Sequence, residues 1–245
     1  DPDEAAAAAI SLNDGLAAAT AEGGQRFSAL ATLPMQDPVA AAAELRRAVV
    51  DLGFVGASIG PHVEGRALDS DEFAPVLESA DELEVPLLLH PYYVGANPEL
   101  SDFYLTNLLG NPWQTTVAAT RLILSGTLQR LPRLRIILVH GGGYLAAALG
   151  RLDHGWRVRP ELAHLTTAPS SLRHRFFYDT LTHDPHQLRS LVDAVGAGQV
   201  VFGSDAPFDM GNPAFAGQIE GADLSENECE QIAFANAASL FGLAH

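Results

Sequence analysis

Short apolar, strand-like runs alternate with helical patterns along the chain, and this alternation is the feature that most constrains its fold. The predicted strands lie at 26–33, 54–59, 86–90, 134–140, 176–180 and 199–205. The predicted helices lie at 2–22, 37–51, 70–84, 112–126, 144–157, 185–195 and 225–241. Strands that are apolar on both faces and are each followed by a helix form a parallel sheet covered by helices. The pattern therefore predicts an α/β fold, either a (β/α)8 barrel or a doubly wound sheet.

The composition narrows the class of protein further. No linker interrupts the alternation, so residues 1–245 are predicted to form a single domain. A net charge of -16 disfavours nucleic acid and anionic membrane surfaces as partners, and no apolar run reaches the roughly 18 residues of a spanning helix. The chain contains no lysine, which excludes lysine Schiff bases and carbamylated-lysine metal bridges within it. The single cysteine, Cys229, fits a reducing cytoplasm.

Three of the predicted strands end in a residue that could bind a metal. The runs PLLLH, IILVH and VFGSD end at His90, His140 and Asp205. The carboxyl ends of parallel strands form the active-site face of such folds. Imidazole nitrogens and a carboxylate are ligands that zinc and other divalent ions accept in catalytic sites. The sequence therefore predicts a metal site at this face.

A serine hydrolase is the alternative interpretation of two glycine-containing motifs. The segment 56–60 (GASIG) matches a nucleophile elbow around Ser58, and 140–143 (HGGG) matches an oxyanion-hole motif. An elbow requires an immediate turn into a helix, whereas a loop is predicted at 61–69. The glycine-rich segment also follows the serine, although it should precede it. The metal site is therefore favoured.

A long loop at 91–111 is a candidate binding loop. Aromatic side chains in and beside it either pack the loop or stack on a substrate: Tyr92, Tyr93, Phe103, Tyr104 and Trp113. Three further residues follow strands at positions compatible with either a structural or a functional role: Arg151, His183 and Phe208.

Six segments together resemble the amidohydrolase-related family, and within it the aminocarboxymuconate-semialdehyde decarboxylase subgroup. They are 29–38 (ALATLPMQDP), 87–91 (LLLHP), 138–143 (LVHGGG), 150–155 (GRLDHG), 177–185 (FYDTLTHDP) and 203–211 (GSDAPFDMG). The resemblance spans nearly the whole chain and implies a metal-dependent (β/α)8 barrel of the hydrolase kind.

The resemblance also implies roles for individual residues. His90 matches a metal-binding histidine on the fifth barrel strand, and Asp205 matches a metal-binding aspartate that ends the eighth. His140 matches a histidine on the sixth strand that acts on water at the metal in the decarboxylase subgroup. Arg151 matches an arginine that enters the neighbouring subunit's site to hold a substrate carboxylate, which implies a homodimer. Phe208 matches an aromatic residue beside the substrate.

Two departures from the family pattern qualify these expectations. The first barrel strand of the family carries a His-x-His pair, which is found nowhere in this sequence. Only about six βα units are visible and the chain begins with Asp1 rather than Met, so we expect an N-terminally incomplete barrel. Asn107 stands where the decarboxylase pattern tends to carry an aromatic residue, and with Tyr92 it is a candidate substrate-binding residue.

The sequence thus predicts a metal-dependent, non-oxidative decarboxylase of a small unsaturated or aromatic carboxylic acid. His140 and Asp205 are the predicted catalytic residues, with Asp205 also passing a proton to the substrate carbon. Zinc is the expected metal, manganese is the alternative, and no organic cofactor is required. Two other hypotheses remain open: a metal-dependent hydrolase of an ester, lactone or amide, and a catalytically degenerate barrel. A cytoplasmic location is expected.

Overall fold

A parallel sheet lies at the centre of the computed structural model, which describes residues 1–92 and 97–243. The strands are β1 (Ala31–Thr32), β2 (Ala57–Ile59), β3 (His62–Val63), β4 (Arg66–Ala67), β5 (Leu87–Leu89), β6 (Ile136–Leu138), β7 (Phe176–Asp179) and β8 (Val200–Val201). Six of them form the sheet in the order β1-β2-β5-β6-β7-β8, and every adjacent pair is parallel. Strands β3 and β4 form a separate antiparallel hairpin.

Helices connect the strands and cover the sheet. They are α1 (Pro2–Gly23), α2 (Pro38–Val50), α3 (Ala74–Leu83), α4 (Asn111–Leu124), α5 (Thr127–Arg130), α6 (Leu145–Val158), α7 (Pro185–Val195), α8 (Phe215–Ile219), α9 (Glu226–Glu230) and α10 (Asn236–Phe241). Asp37 caps α2 and accepts hydrogen bonds from two backbone N–H groups of the first turn. Within the described ranges, no helix combines the length and apolarity that crossing a membrane requires.

The two faces of the sheet pack against different parts of the chain. Alternate strand residues, including Leu87, Ile136 and Phe176, belong to the main hydrophobic core beneath the helices. The residues that alternate with them, including Ile137 and Val201, form a smaller apolar cluster with side chains of α10. Side chains alternate between faces along a strand, so the sheet has helices on one side and the C-terminal helix on the other.

The sheet is open, because β1 and β8 lie at its edges and do not pair with each other. At the β1 edge the side-chain amide of Asn13 replaces a neighbouring strand. Its Nδ2 donates to the Thr32 carbonyl at 2.9 Å, and its Oδ1 accepts from the Thr32 N–H at 2.9 Å. Pairing both backbone groups in this way protects an edge that would otherwise present free donors and acceptors.

Several predicted boundaries differ from the structure. The paired part of each strand is shorter than predicted, because flanking residues bind elsewhere; Phe202, for example, donates its N–H to the carbonyl of Ile232. The predicted loop at 61–69 contains the β3–β4 hairpin, whose turn residues Glu64 and Gly65 have φ of 51° and 79°. Two positive φ values suit a tight hairpin turn, but Glu-Gly is a weaker turn signal than Asn-Gly.

Wider helical turns account for two further differences. The helix predicted at 225–241 is interrupted by a π turn at Gln231–Ala235, which separates α9 from α10. A second π turn, Thr106–Gly110, leads directly into α4, so part of the predicted binding loop is helical. The 225–241 segment continues a regular apolar pattern, and a pattern of that kind cannot distinguish a π turn from an α-helix.

Candidate metal centre and active site

The three predicted strand-end residues lie together at the carboxyl edge of the sheet. His90 Nε2 lies 3.4 Å from Asp205 Oδ1, and His140 Nε2 lies 3.8 Å from Asp205 Oδ2. The rings of His90 and His140 meet edge to face with centroids 5.4 Å apart. One ligand atom from each residue can be chosen so that all three lie within 4.8 Å of one another. The parallel topology therefore places these side chains around one point.

Burial favours the neutral form of the His140 imidazole, which is the form that binds metals. The side chains of His90 and His140 are each 17% exposed and that of Asp205 is 13% exposed. Burial lowers the pKa of His140, although the nearby carboxylates of Asp179 and Asp205 oppose this effect. The Nδ1 atoms of His90 and His140 are buried and have no hydrogen-bond partner among the described residues.

The donor set fits a divalent ion. Ligands that surround a zinc ion tetrahedrally at bond lengths of about 2.1 Å are roughly 3.4 Å apart. The distances from Asp205 to the two imidazoles, 3.4 and 3.8 Å, are close to this spacing. Two imidazoles and a carboxylate are also donors of the right type. His90, His140 and Asp205 are thus the residues around which an ion can be bound.

Unusual backbone conformations present two of these side chains. His140 and Asp205 have φ of 57° and 51°, in the left-handed region that residues with a Cβ rarely adopt. Gly143, three residues after His140, has φ of 62° and leaves no room for a side chain, because an added Cβ would lie 2.2 Å from the carbonyl oxygen of Pro112. The glycine-rich segment therefore allows the chain to turn sharply between β6 and α6. This fits a close backbone approach better than an oxyanion hole.

A cavity of about 690 Å³ opens beside His140 and Asp205. Its polar lining consists mainly of uncharged or imidazole groups: Asn107, Thr182, His183, Gln187 and Ser190. The apolar part of the lining includes Leu108, Tyr144, Leu181, Leu191 and Met210. The described lining contains no arginine, so a substrate carboxylate in this cavity has no guanidinium partner from these residues.

The other predicted site residues are distributed unevenly. Asn107 lines the cavity. Tyr92 has its ring 4.8 Å from that of His90, but it is 68% exposed and lines a neighbouring cavity of about 800 Å³. Phe208 is 60% exposed in the loop after Asp205. Arg151 lies exposed on α6 and is not part of either cavity. Tyr93 lies outside the described residues.

Ser58 does not behave as an activated nucleophile. It lies within β2, and its hydroxyl is 3.0 Å from the hydroxyl of Tyr92. A serine nucleophile requires a base within hydrogen-bond reach and a sharp turn that exposes it. The geometry therefore gives the esterase motif no support.

Asp179 is a candidate functional residue that sequence analysis missed. It ends β7 and is 5% exposed, and its carboxylate accepts hydrogen bonds from the backbone N–H groups of His140, Gly141 and Leu181. Burial raises the pKa of Asp179, and these N–H donors act in the opposite direction. Its position after an apolar strand, in the segment FYDTLTHDP, was the available signal. It is the same signal that identified the other strand-end residues.

Comparison with known proteins identifies the family. A model of the amidohydrolase family matches residues 1–243. The chain belongs to the amidohydrolase family. This amidohydrolase is 34% identical, over 99% of its length, to a 2-amino-3-carboxymuconate-6-semialdehyde decarboxylase of Dictyostelium discoideum, and covers 68% of that protein. It is 35% identical, over 94% of its length, to a gamma-resorcylate decarboxylase of Polaromonas sp. strain JS666, and covers 75% of it.

A related solved structure includes a metal. The crystal structure of a dihydroxybenzoic acid decarboxylase from Polaromonas sp. JS666, with bound manganese and the inhibitor 2-nitroresorcinol, matches this chain with a TM-score of 0.87. The sequences are 30% identical, and the match covers 99% of this chain and 77% of the other. These findings confirm the predicted family, its decarboxylase subgroup and the barrel-type α/β fold. They also support a divalent metal as the class of cofactor.

Proposed function

We propose that this amidohydrolase is a metal-dependent, non-oxidative decarboxylase of a small aromatic or unsaturated carboxylic acid. The observation that carries the proposal is the convergence of His90, His140 and Asp205, of which His140 and Asp205 also line the cavity. The relatives described above are named as decarboxylases, which favours this reaction over others that the fold supports.

His90 and Asp205 are the residues that would hold the metal, together with donors from outside this pair. When bound, a divalent ion acts as a Lewis acid toward the oxygens of the substrate. Zinc is the proposed ion because imidazole donors suit it. Manganese is the alternative, since a related structure contains it. Elemental analysis of the purified protein distinguishes the two.

His140 and Asp205 would manage the proton that the reaction requires. When the bond between the ring carbon and the carboxylate breaks, carbon dioxide leaves and the electron pair remains on the carbon, which then takes a proton. His140 Nε2 and Asp205 Oδ2 are 3.8 Å apart, so a small shift would bring them within range for proton transfer. Burial favours neutral His140, which can accept a proton.

A homodimer would supply the group that the cavity lacks. The described lining contains no arginine, whereas Arg151 is exposed on α6. We propose that Arg151 enters the cavity of a second subunit and pairs with the substrate carboxylate, as its resemblance to the family arginine implies. Asn107 lines the same cavity. We propose that Tyr92 and Phe208 flank the substrate, as the resemblance implies for Phe208.

Mixing two variants tests this arrangement. Arg151→Ala and His140→Ala should each be inactive alone, yet a mixed dimer would contain one pocket with both groups. After verified subunit exchange at equal amounts, activity should recover to about a quarter of wild type, because half of the dimers are mixed and each has one intact pocket. A mixture that stays inactive after such exchange would contradict the role of Arg151.

The proposed partners are small molecules, and the proposed location is the cytoplasm. The net charge of -16 opposes binding to phosphate backbones and anionic lipid. The free thiol of Cys229 fits a reducing compartment. Subcellular fractionation of the native host tests the location.

Product analysis tests the reaction itself. The purified protein, loaded with manganese or zinc, is incubated with gamma-resorcylate and with 2-amino-3-carboxymuconate-6-semialdehyde, and carbon dioxide is measured. Release that depends on the metal and on His90 supports the proposal. A cleaved ester, lactone or amide without carbon dioxide would indicate a hydrolase instead. Absence of metal binding under all loading conditions would indicate a degenerate barrel.

A further inference from the structure

Asp179 contacts the backbone of a site residue rather than its side chain. Its Oδ2 accepts from the N–H of His140 at 3.0 Å, and its Oδ1 accepts from the N–H of Gly141 at 2.7 Å. Oδ1 also accepts from the N–H of Leu181 at 3.0 Å. The carboxylate therefore joins the end of β7 to the residues that follow β6.

These bonds hold His140 in an unfavourable conformation. His140 has φ of 57° and Gly141 has φ of 61°, so two successive residues are left-handed. For a residue with a Cβ this conformation is energetically unfavourable. Successive N–H groups in such a turn form a concave site for an anion, and here that anion is the Asp179 carboxylate. Buried N–H groups that lose their acceptor are costly, so the carboxylate stabilises this turn.

The orientation of the His140 ring depends in part on its backbone. In many metal sites, a hydrogen bond to the second ring nitrogen fixes the orientation of the imidazole. Here Nδ1 of His140 is buried without a hydrogen-bond partner among the described residues. The direction of the ring toward Asp205 therefore depends on its packing and on the conformation of the main chain that Asp179 stabilises.

We propose that Asp179 is a positioning residue that acts through the backbone of His140 and keeps its imidazole directed at Asp205. The consequence for catalysis rests on the proposed function, whereas the effect on the orientation of His140 does not. Gly203, two residues after β8, supports this arrangement, because an added Cβ there would lie 2.7 Å from the Cβ of Asp179 and 3.1 Å from its Oδ2. Asp179 is thus closely packed between β6 and β8.

The chain contains a matched control for this residue. Asp81, at the end of α3, is 6% exposed, and its Oδ1 accepts from the backbone N–H groups of Arg133 and Leu134 at 2.6 and 2.8 Å. It therefore anchors the chain just before β6, as Asp179 anchors the chain just after it. Asp179→Asn and Asp81→Asn make the same chemical change at comparable burial. Of the two carboxylates, only that of Asp179 accepts a hydrogen bond from His140.

Nitrogen NMR of histidine side chains is the deciding measurement. Protein labelled with 15N-histidine is prepared without metal, and the His140 signal is assigned from its loss in His140→Gln. In Asp179→Asn we expect the His140 signal to shift or to split, while the His164 signal stays in place. In Asp81→Asn we expect both signals at their wild-type positions, although urea unfolding shows a loss of stability. An unchanged His140 signal in folded Asp179→Asn would overturn the proposal, as would an equal change in Asp81→Asn.

Kinetics and a second variant complete the test. If the protein is a decarboxylase, Asp179→Asn should lower kcat by about 10- to 100-fold, the range typical of losing an outer-shell partner of a metal site, with KM little changed. Wild-type protein without activity contradicts the proposed function but leaves the NMR result decisive. If Asp179→Asn does not fold, Gly203→Ala displaces the carboxylate and retains its charge. A shifted His140 signal in Gly203→Ala supports the proposal, and an unshifted one overturns it.

Discussion

The two ends of β6 are anchored in the same way but differ in strain and in charge balance. At the amino end, the carboxylate of Asp81 accepts two backbone N–H groups and also faces the guanidinium of Arg133 at 3.3 Å. At the carboxyl end, the three hydrogen bonds that Asp179 accepts among the described residues come from backbone N–H groups, and the residue that it holds, His140, is left-handed.

The difference shows where this fold tolerates unfavourable features. In a barrel-type α/β fold, the carboxyl ends of the strands carry the chemistry and the opposite ends contribute to stability. At the carboxyl end, His140 and Asp205 have left-handed backbone conformations. The Nδ1 atoms of His90 and His140 are buried there without a hydrogen-bond partner among the described residues. At the amino end, by contrast, the buried carboxylate of Asp81 is paired, and Arg175 donates to the carbonyls of Leu128, Leu131 and Leu134. Substitutions at the two ends should therefore have separable effects.

The largest separation is expected for the metal ligands. His90→Ala and Asp205→Asn should each lower metal affinity by more than about a hundredfold, beyond the usual effect of losing an outer-shell partner, and should abolish decarboxylation. Urea unfolding should remain cooperative. Metal content after dialysis and carbon dioxide release are the measurements.

A histidine near the amino ends of the strands provides the matched control. His164 Nε2 lies 2.7 Å from the carbonyl oxygen of Leu124, at the end of α4. His164→Ala should keep full metal content and turnover. Full metal content in His90→Ala, or its loss in His164→Ala, would break the division between the two ends.

His140 should separate metal binding from turnover within the site itself. We expect His140→Ala to retain its metal and to lose about 10²- to 10⁴-fold in kcat, because its proposed role is to handle a proton rather than to bind the ion. The metal content and kcat of the same preparation are compared. Loss of the ion in this variant would show that His140 is a metal ligand. Its distance of 3.8 Å from Asp205 is compatible with that role.

The sequence could predict the features that depend on where a side chain stands along a strand. It could not predict those that depend on the conformation of the backbone. His90, His140 and Asp205 lie within four residues of the carboxyl ends of β5, β6 and β8, so the parallel topology alone predicted that they share one edge. Asp179 follows a strand in the same way, but its partners are N–H groups of a turn whose left-handed conformation no sequence pattern specifies. Arg151 was predicted from resemblance, and its exposure on α6 leaves that role to experiment.

The same distinction explains which secondary-structure elements could be predicted from the sequence. The order of strands and helices was predictable because apolar periodicity reports which residues are buried. The π turns before α4 and α10 and the hairpin at Glu64 and Gly65 were not predicted, since each depends on local hydrogen bonding rather than on periodicity. The pairing of Asn13 with the β1 edge was equally invisible, because it joins residues 19 positions apart.

At the amino end, Arg175 should affect stability without affecting the site. Arg175→Ala removes the donor to three carbonyl groups, and we expect a loss of roughly 1–3 kcal/mol in the free energy of unfolding. Metal content and kcat should stay at wild-type values. Arg175→Lys, which keeps the charge but lacks the planar fork, should lie between the two. A reduced kcat in folded Arg175→Ala would show that the two ends are coupled.

The smallest effect is expected for Glu228, a carboxylate that lies at neither end of β6. It pairs with Arg189 at 3.0 Å near the surface and forms a capping box with Ser225. The Arg189 guanidinium and the Ser225 donors lower the pKa of Glu228 to about 2. Because the pKa is lower in the folded state, the stabilisation is fully present above the ordinary glutamate pKa and disappears as pH falls toward about 2. Glu228→Gln should therefore lose less than about 1 kcal/mol of stability at neutral pH, since exposed ion pairs contribute little. Urea unfolding of the wild type and of Glu228→Gln, between neutral pH and about pH 2, measures the difference in stability. We expect this difference to shrink as the pH falls. A difference that is constant with pH would assign the effect to the cap geometry rather than to the charge.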